Sequence, residues 1–194
     1  MTASSAPRRI ALGIFRLTPA GGLEQHALRL AEILARRGCQ VTTITTRAPA
    51  APPPGMEIEL VAARGSTNHG RLAAFAEDAA GAIAGRFDRS VAFHAIPGFD
   101  AIFCADPSRA APTGPRRWLP RYRTYAELER RALADGAGPV LMLSSVQMDA
   151  FAAHHPSARS QAATATPDRR SPARRSHRRD AGGTEIGAGR AGAG

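Results

Sequence analysis

Apolar and polar positions alternate along the first 156 residues in a way that switches repeatedly between two periods. Ile10 to Phe15 (IALGIF) is a short continuous apolar run, the pattern of a strand buried on both faces. After Gly21-Gly22, the positions Leu23, Ala27, Leu30, Ala31 and Leu34 recur at helical spacing, which predicts a helix over about 23–37. Glu24 in its first turn and Arg36 and Arg37 in its last complement the helix dipole, and Gly38 is placed to end it. Val41 to Thr46 (VTTITT) is β-branched throughout and predicts a second strand, and Glu57 to Val61 a third. The Ala-rich stretch His69 to Arg86 predicts a helix. Ser90–Phe93 and Ala101–Cys104 predict short buried strands joined by a turn at Pro97-Gly98. A helix over about 119–133, a strand at Val140–Leu143 and a helix opened by Ser144 with Gln147 complete the series. Strands alternating with helices imply a parallel sheet covered on both faces, an α/β, Rossmann-like domain.

Composition changes abruptly near residue 157. Of the 38 residues from Ser157 to Gly194, 25 are Ala, Arg, Gly or Pro, and Ile186 is the single large apolar side chain. Such a segment buries too little surface to offset its ordering entropy, so the expectation is one domain over 1–156 and a disordered tail over 157–194. The tail carries a basic cluster of six arginines between Arg169 and Arg179, which admits a nucleic-acid-binding arm. The preferred reading is an out-of-frame product of a GC-rich gene, whose codons spell this mixture. The complete lack of lysine among 26 basic residues points the same way. Without aromatic interleaving, nucleic acid is not the expected partner.

Charge and cysteine content narrow the classes further. The chain has 194 residues, a formal charge of +10 and two cysteines, Cys39 and Cys104, with no metal-ligand spacing. A disulfide scaffold and a structural zinc site are excluded, and a reducing, cytoplasmic setting is expected. No apolar run approaches the ~18 residues of a membrane span.

Four segments carry candidate chemistry. Gly21 and Gly22 open a helix after a strand, where free N–H groups favour phosphate, although neither dinucleotide nor P-loop spacing is present. The cluster Ser66-Thr67-Asn68-His69-Gly70-Arg71 opens another helix, and Asn68, His69 and Arg71 suit hydroxyl recognition; a capping turn explains them equally. The loop His94–Asp100, with Pro97, Gly98 and Asp100, lies between two buried strands, and a carboxylate there suits sugar hydroxyls. Its alternative is an Asp that caps a turn. Pro107 to Arg131 holds seven arginines against two glutamates, whereas the rest of the first 156 residues is balanced at eleven each. Trp118, Tyr122 and Tyr125 fall at i, i+4, i+7 within it, beside Arg116, Arg117, Arg121 and Arg123. Such a stripe is commonly core, but the charge concentration favours an anionic membrane surface.

Taken in order, GGLEQHALRLAEILARRGCQV, STNHGR, PGFD with FCAD, and RYRTYAELERRAL resemble the N-terminal half of a family 4 glycosyltransferase over most of residues 9–155. The resemblance implies a GT-B fold and transfer of a hexose, glucose by expectation, from a UDP-sugar to a lipopolysaccharide core. It implies retention of configuration, no metal and no cofactor beyond the donor. It places Gly21 and Gly22 at the donor, and Asn68, His69, Arg71, Pro97, Gly98 and Asp100 at the acceptor, with Asp100 the candidate catalytic group. The basic aromatic segment would meet the inner face of the cytoplasmic membrane as a peripheral contact. Nothing after Pro156 resembles the family's C-terminal donor domain, so the chain reads as truncated and is expected to be inactive alone. A non-catalytic membrane-surface or nucleic-acid-binding module is the alternative.

Overall fold

The computed structural model describes residues 8–18, 21–49, 52–110, 114–134 and 138–158, and the backbone of 162–164. Seven strands among them, β1 (Arg9–Gly13), β2 (Gln40–Thr45), β3 (Met56–Leu60), β4 (Arg89–Ala92), β5 (Ala101–Cys104), β6 (Val140–Met142) and β7 (Ala162–Thr164), form one parallel sheet. Its order is β3-β2-β1-β4-β5-β6-β7. Four helices cross between the strands: α1 (Gly22–Arg36), α2 (Asn68–Ile83), α3 (Pro120–Ala132) and α4 (Ser145–Ala152).

The helices form where local chemistry and packing agree. Ala27 and Ala31 of α1 are buried against Ile10, Leu12, Ile14 and Phe103 on one face of the sheet. Phe75, Ala76 and Ala79 of α2, Leu128 and Ala132 of α3 and Phe151 of α4 pack together on the other. Thr67 caps α2 by accepting the Gly70 N–H at 3.1 Å, and Ser144 caps α4 by accepting that of Gln147 at 3.2 Å. Pro120 opens α3 at a position where its missing N–H costs nothing. As a result Trp118 falls outside that helix, in a 3-10 turn over Gly114–Trp118, and the aromatic stripe is not a single helical face.

Two features place the functional edge. The chain runs from β1 outward to β2 and β3, then returns to add β4 on the other side of β1, so the strand order reverses between β1 and β4. In open parallel sheets the carboxyl ends at such a switch point form a crevice. Second, β4 reaches β5 without a helix, through residues 93–100, which therefore descend from the carboxyl edge to the amino edge of the sheet. Gly98, at φ 92°, lets this loop pass close to Ala80 of α2, where a Cβ would lie 2.9 Å from the alanine's.

Packing contacts continue past Pro156, the boundary expected from composition. Ser157 donates its hydroxyl to the Leu133 carbonyl at 3.2 Å, Ala158 is buried, and β7 pairs with β6 from Val140↔Ala162 to Met142↔Thr164. A parallel edge strand is held by backbone groups, which Ala and Thr supply as well as larger residues do, so poor hydrophobicity did not reveal it. The arginine cluster beyond Thr164 lies outside the described residues.

Candidate functional site

A cleft of about 420 Å³ opens at the carboxyl edge, where the segments after β1, β4 and β5 meet the starts of α2 and α3. Phe15 and Arg16 follow β1, Phe93 and His94 follow β4, and Cys104 through Arg109 leave β5. Asn68 and Leu72 of α2 and Arg121, Tyr125, Leu128 and Glu129 of α3 close it. A larger, shallower groove of about 900 Å³ runs along the other side of α3, from Pro120 and Arg123 to His154 and His155. None of its lining residues follows β1 or β4, so the switch-point cleft is the better site.

His94 is the titratable group at the centre of this edge. Burial pushes its pKa below the ordinary 6.5; the carboxylates of Asp106 and Glu24 oppose that shift, and the Arg109 guanidinium adds to it. The imidazole is therefore neutral at physiological pH, with one nitrogen free to accept a hydrogen bond and the other to donate one. A histidine with a lowered folded-state pKa takes up its proton first in the unfolded chain. Stability is then full above pH 6.5 and falls on acidification toward the depressed folded value. Replacing His94 by Gln is expected to flatten that part of the pH profile of urea denaturation; an unchanged profile would remove His94 as its cause.

The loop from Asp106 to Ala110 is fixed from beneath by Glu129. This carboxylate is 1% exposed and accepts hydrogen bonds from the Ser108 hydroxyl (2.6 Å) and the N–H groups of Arg109 (2.7 Å) and Ala110 (3.3 Å). Nε2 of the buried His155 lies 2.9 Å from the same carboxylate. Gln147 holds the start of the loop, donating to the carbonyls of Cys104 and Asp106 at 2.9 Å each. Burial lifts the Cys104 thiol to about 12, so it stays protonated and serves as an apolar wall.

Three of the expected site residues converge here: Asn68, Arg121 and Tyr125. Others lie elsewhere. The His69 ring sits 3.3 Å from the Thr67 hydroxyl at the helix cap, and Arg71 donates to the Gly65 carbonyl at 2.8 Å, closing a turn. Pro97 and Gly98 ride on the descending loop, outside the cleft lining.

Asp100 lies farthest from the cleft's edge of the sheet. It precedes β5 and sits at the amino edge, where Oδ2 accepts from the Ser90 N–H (2.7 Å) and hydroxyl (2.8 Å) while its own N–H donates to the Ser90 oxygen (2.9 Å). It staples β4 to β5 and is not among the residues lining the cleft at the opposite edge. Asp100→Ala is expected to cost about 1–2 kcal/mol of stability, as loss of such bonds does, and to leave saccharide affinity unchanged. Thermal melting and ligand titration of the variant check both parts.

Gly21 and Gly22 head α1. Gly22 is open, with no atom within 4 Å of where a Cβ would stand, whereas the Glu24 carboxylate occupies that place at Gly21 and accepts from the Thr18 hydroxyl at 3.3 Å. The basic segment is turned outward: Trp118 is 69% exposed and Leu119 49%. Arg116, Arg117, Arg121 and Arg123 make no ion pair among the described residues. The core interpretation of the stripe fails for Trp118, while Tyr122 and Tyr125 are half-buried. Sequence reasoning missed Arg16, Asp106, Arg109 and Glu129 as site residues. The first three carried a usable signal, since each follows a strand at its carboxyl end.

No family model matches the chain. A lipopolysaccharide glucosyltransferase, WaaG of Escherichia coli strain K12, is 30% identical over 153 residues. The crystal structure of WaaG, a glycosyltransferase of lipopolysaccharide biosynthesis, superposes with a TM-score of 0.71 at 28% identity over 80% of this chain. The chain is a relative of WaaG with a GT-B-type domain. It spans 41% of the curated WaaG sequence and 44% of the WaaG structure, less than half of either. The structure of Anabaena Alr3699/HepE in complex with UDP and glucose shares the fold, with a TM-score of 0.52 at 13% identity over 81% of this chain and 44% of that one. TcCGT1 in complex with UDP does so at 0.50 and 12%, over 83% of this chain and 51% of that one.

Proposed function

We propose that this chain forms the acceptor-binding domain of a WaaG-type glycosyltransferase, which moves a hexose from a UDP-sugar to a lipopolysaccharide core at an anionic membrane surface. The observation that carries the reading is continuity. One helix, α3, contributes Arg121 and Tyr125 to the switch-point cleft and follows directly on the exposed Trp118–Leu119 pair with its unpaired arginines. An acceptor anchored in the bilayer would present its saccharide along that helix. Inside the cleft, Asn68 and neutral His94 offer both donors and acceptors to sugar hydroxyls.

In the proposed reaction an acceptor hydroxyl oxygen forms a bond to the anomeric carbon while the bond from that carbon to the UDP oxygen breaks. The electron pair leaves with the diphosphate and the hydroxyl proton is released. The reading includes retention of configuration, no requirement for a metal, and a donor approaching the open Gly22 end of α1 with Gly21 beside it. A cytoplasmic location at the inner membrane face belongs to the same proposal. No helix among the described residues is long and apolar enough to cross a membrane, and the proposal has the exposed Trp118 segment meet the bilayer as a peripheral contact.

Saturation-transfer NMR with a heptose-terminated core oligosaccharide tests the reading. The wild-type chain is expected to transfer saturation to the oligosaccharide, and Asn68→Ala with His94→Ala to lose it. Binding to anionic vesicles with no saccharide signal would leave the alternative, a membrane-surface module without catalysis.

A further inference from the structure

The cleft carries more positive charge than neutral-sugar binding requires. Arg16, Arg109 and Arg121 all line it, and each guanidinium lies over an aromatic ring: Arg16 over Phe15 at 5.1 Å, Arg109 over Tyr125 at 5.7 Å and Arg121 over Tyr122 at 4.8 Å. The supports are themselves held. Phe15 packs edge-on against buried Phe75 with centroids 5.6 Å apart, and the Arg109 N–H is bound by Glu129. Stacking fixes the planes of these guanidiniums, so less entropy is lost when they bind a ligand.

Little opposes them. Asp106 lies 3.7 Å from Arg109 and is the one solvent-facing carboxylate in the lining. The Glu129 oxygens are buried and taken up by neighbouring donors. Arg16 and Arg121 have no ion-pair partner among the described residues. A rigid surplus of guanidinium in a concave site is chemistry for a phosphate or carboxylate.

We infer that the cleft recognises a saccharide bearing an anionic substituent, with Arg16 and Arg121 gripping the anion while Asn68 and His94 meet the hydroxyls. This rests on the acceptor reading above and deepens it. The α1 amino terminus, where a donor diphosphate would be met, is not part of the lining, so the anion belongs to the acceptor.

The test is a set of heteronuclear NMR titrations of the 194-residue chain with glucose, glucose 6-phosphate, inorganic phosphate and UDP, following the amides of Arg16, His94 and Arg109. Glucose 6-phosphate is expected to bind at least about tenfold more tightly than glucose, roughly one well-placed charged hydrogen bond. Arg121→Gln and Arg16→Gln are each expected to erase most of that difference, the ratio of the two affinities falling toward one. Both arginines are exposed, so unaltered circular dichroism should accompany the loss. Equal affinity for glucose and glucose 6-phosphate would overturn the inference and leave the acceptor reading standing. Inorganic phosphate binding as tightly as glucose 6-phosphate, with no response to glucose, would overturn both. UDP shifting the same amides as strongly would assign the anion to the donor and overturn the inference alone.

Discussion

Glu129→Ala is expected to lower the unfolding free energy by about 2–4 kcal/mol, the order of loss when several donors at one packed site give up their common acceptor. The loss has identifiable parts. The Ser108 hydroxyl and the N–H groups of Arg109 and Ala110, at part-buried bonds, and the buried His155 ring would all lose their acceptor. Glu129→Gln, which keeps one acceptor oxygen, should lose less. Glu127, two residues earlier on the same helix, is a control: its pair with Arg130 is exposed, and Glu127→Ala should barely change stability. Urea denaturation separates the three variants. Equal losses for Glu127→Ala and Glu129→Ala would contradict the packing described. Because Glu129 holds the loop that carries Asp106 and Arg109, the conservative Gln variant should also bind core oligosaccharide more weakly under conditions where it stays folded.

Membrane binding should respond just as sharply, at different residues. Each arginine near an anionic surface contributes about 1 kcal/mol, so replacing Arg116 and Arg117 by Gln and Trp118 by Ala should weaken binding to phosphatidylglycerol vesicles by at least about thirtyfold. These side chains are exposed and pair with no carboxylate among the described residues, so melting temperature should not move. Co-sedimentation at two salt concentrations reads the effect, which shrinks as salt screens the surface. Undiminished vesicle binding by the triple variant would detach this segment from the membrane and break the link between bilayer and cleft.

Much of the fold was legible in the sequence, because strands buried on both faces and a helix with one apolar side leave different periods. The runs IALGIF and VTTITT became β1 and β2 to within two residues, and the Ser144 and Gly38 caps stand where their chemistry placed them. The site was less legible. Asp100 looked functional because strand-end loops bind ligands, but a β4–β5 crossover without a helix carries its far end to the wrong edge, and spacing alone does not reveal that. Glu129 sits in ELERR, which reads as a solvated charge run; three donors from the folded-back loop and the His155 ring beyond α4 make its burial tolerable. Trp118 was separated from its stripe by Pro120, whose fixed φ suits the first position of a helix.

The central claim is that saccharide acceptors are held at the switch point between β1 and β4. A crystal structure of the chain soaked with heptose-terminated core oligosaccharide tests it most directly. The account predicts sugar density among Asn68, His94 and Tyr125, with an anionic substituent near Arg16 and Arg121. Density instead in the groove between α3 and His154, with the cleft unchanged, would contradict it.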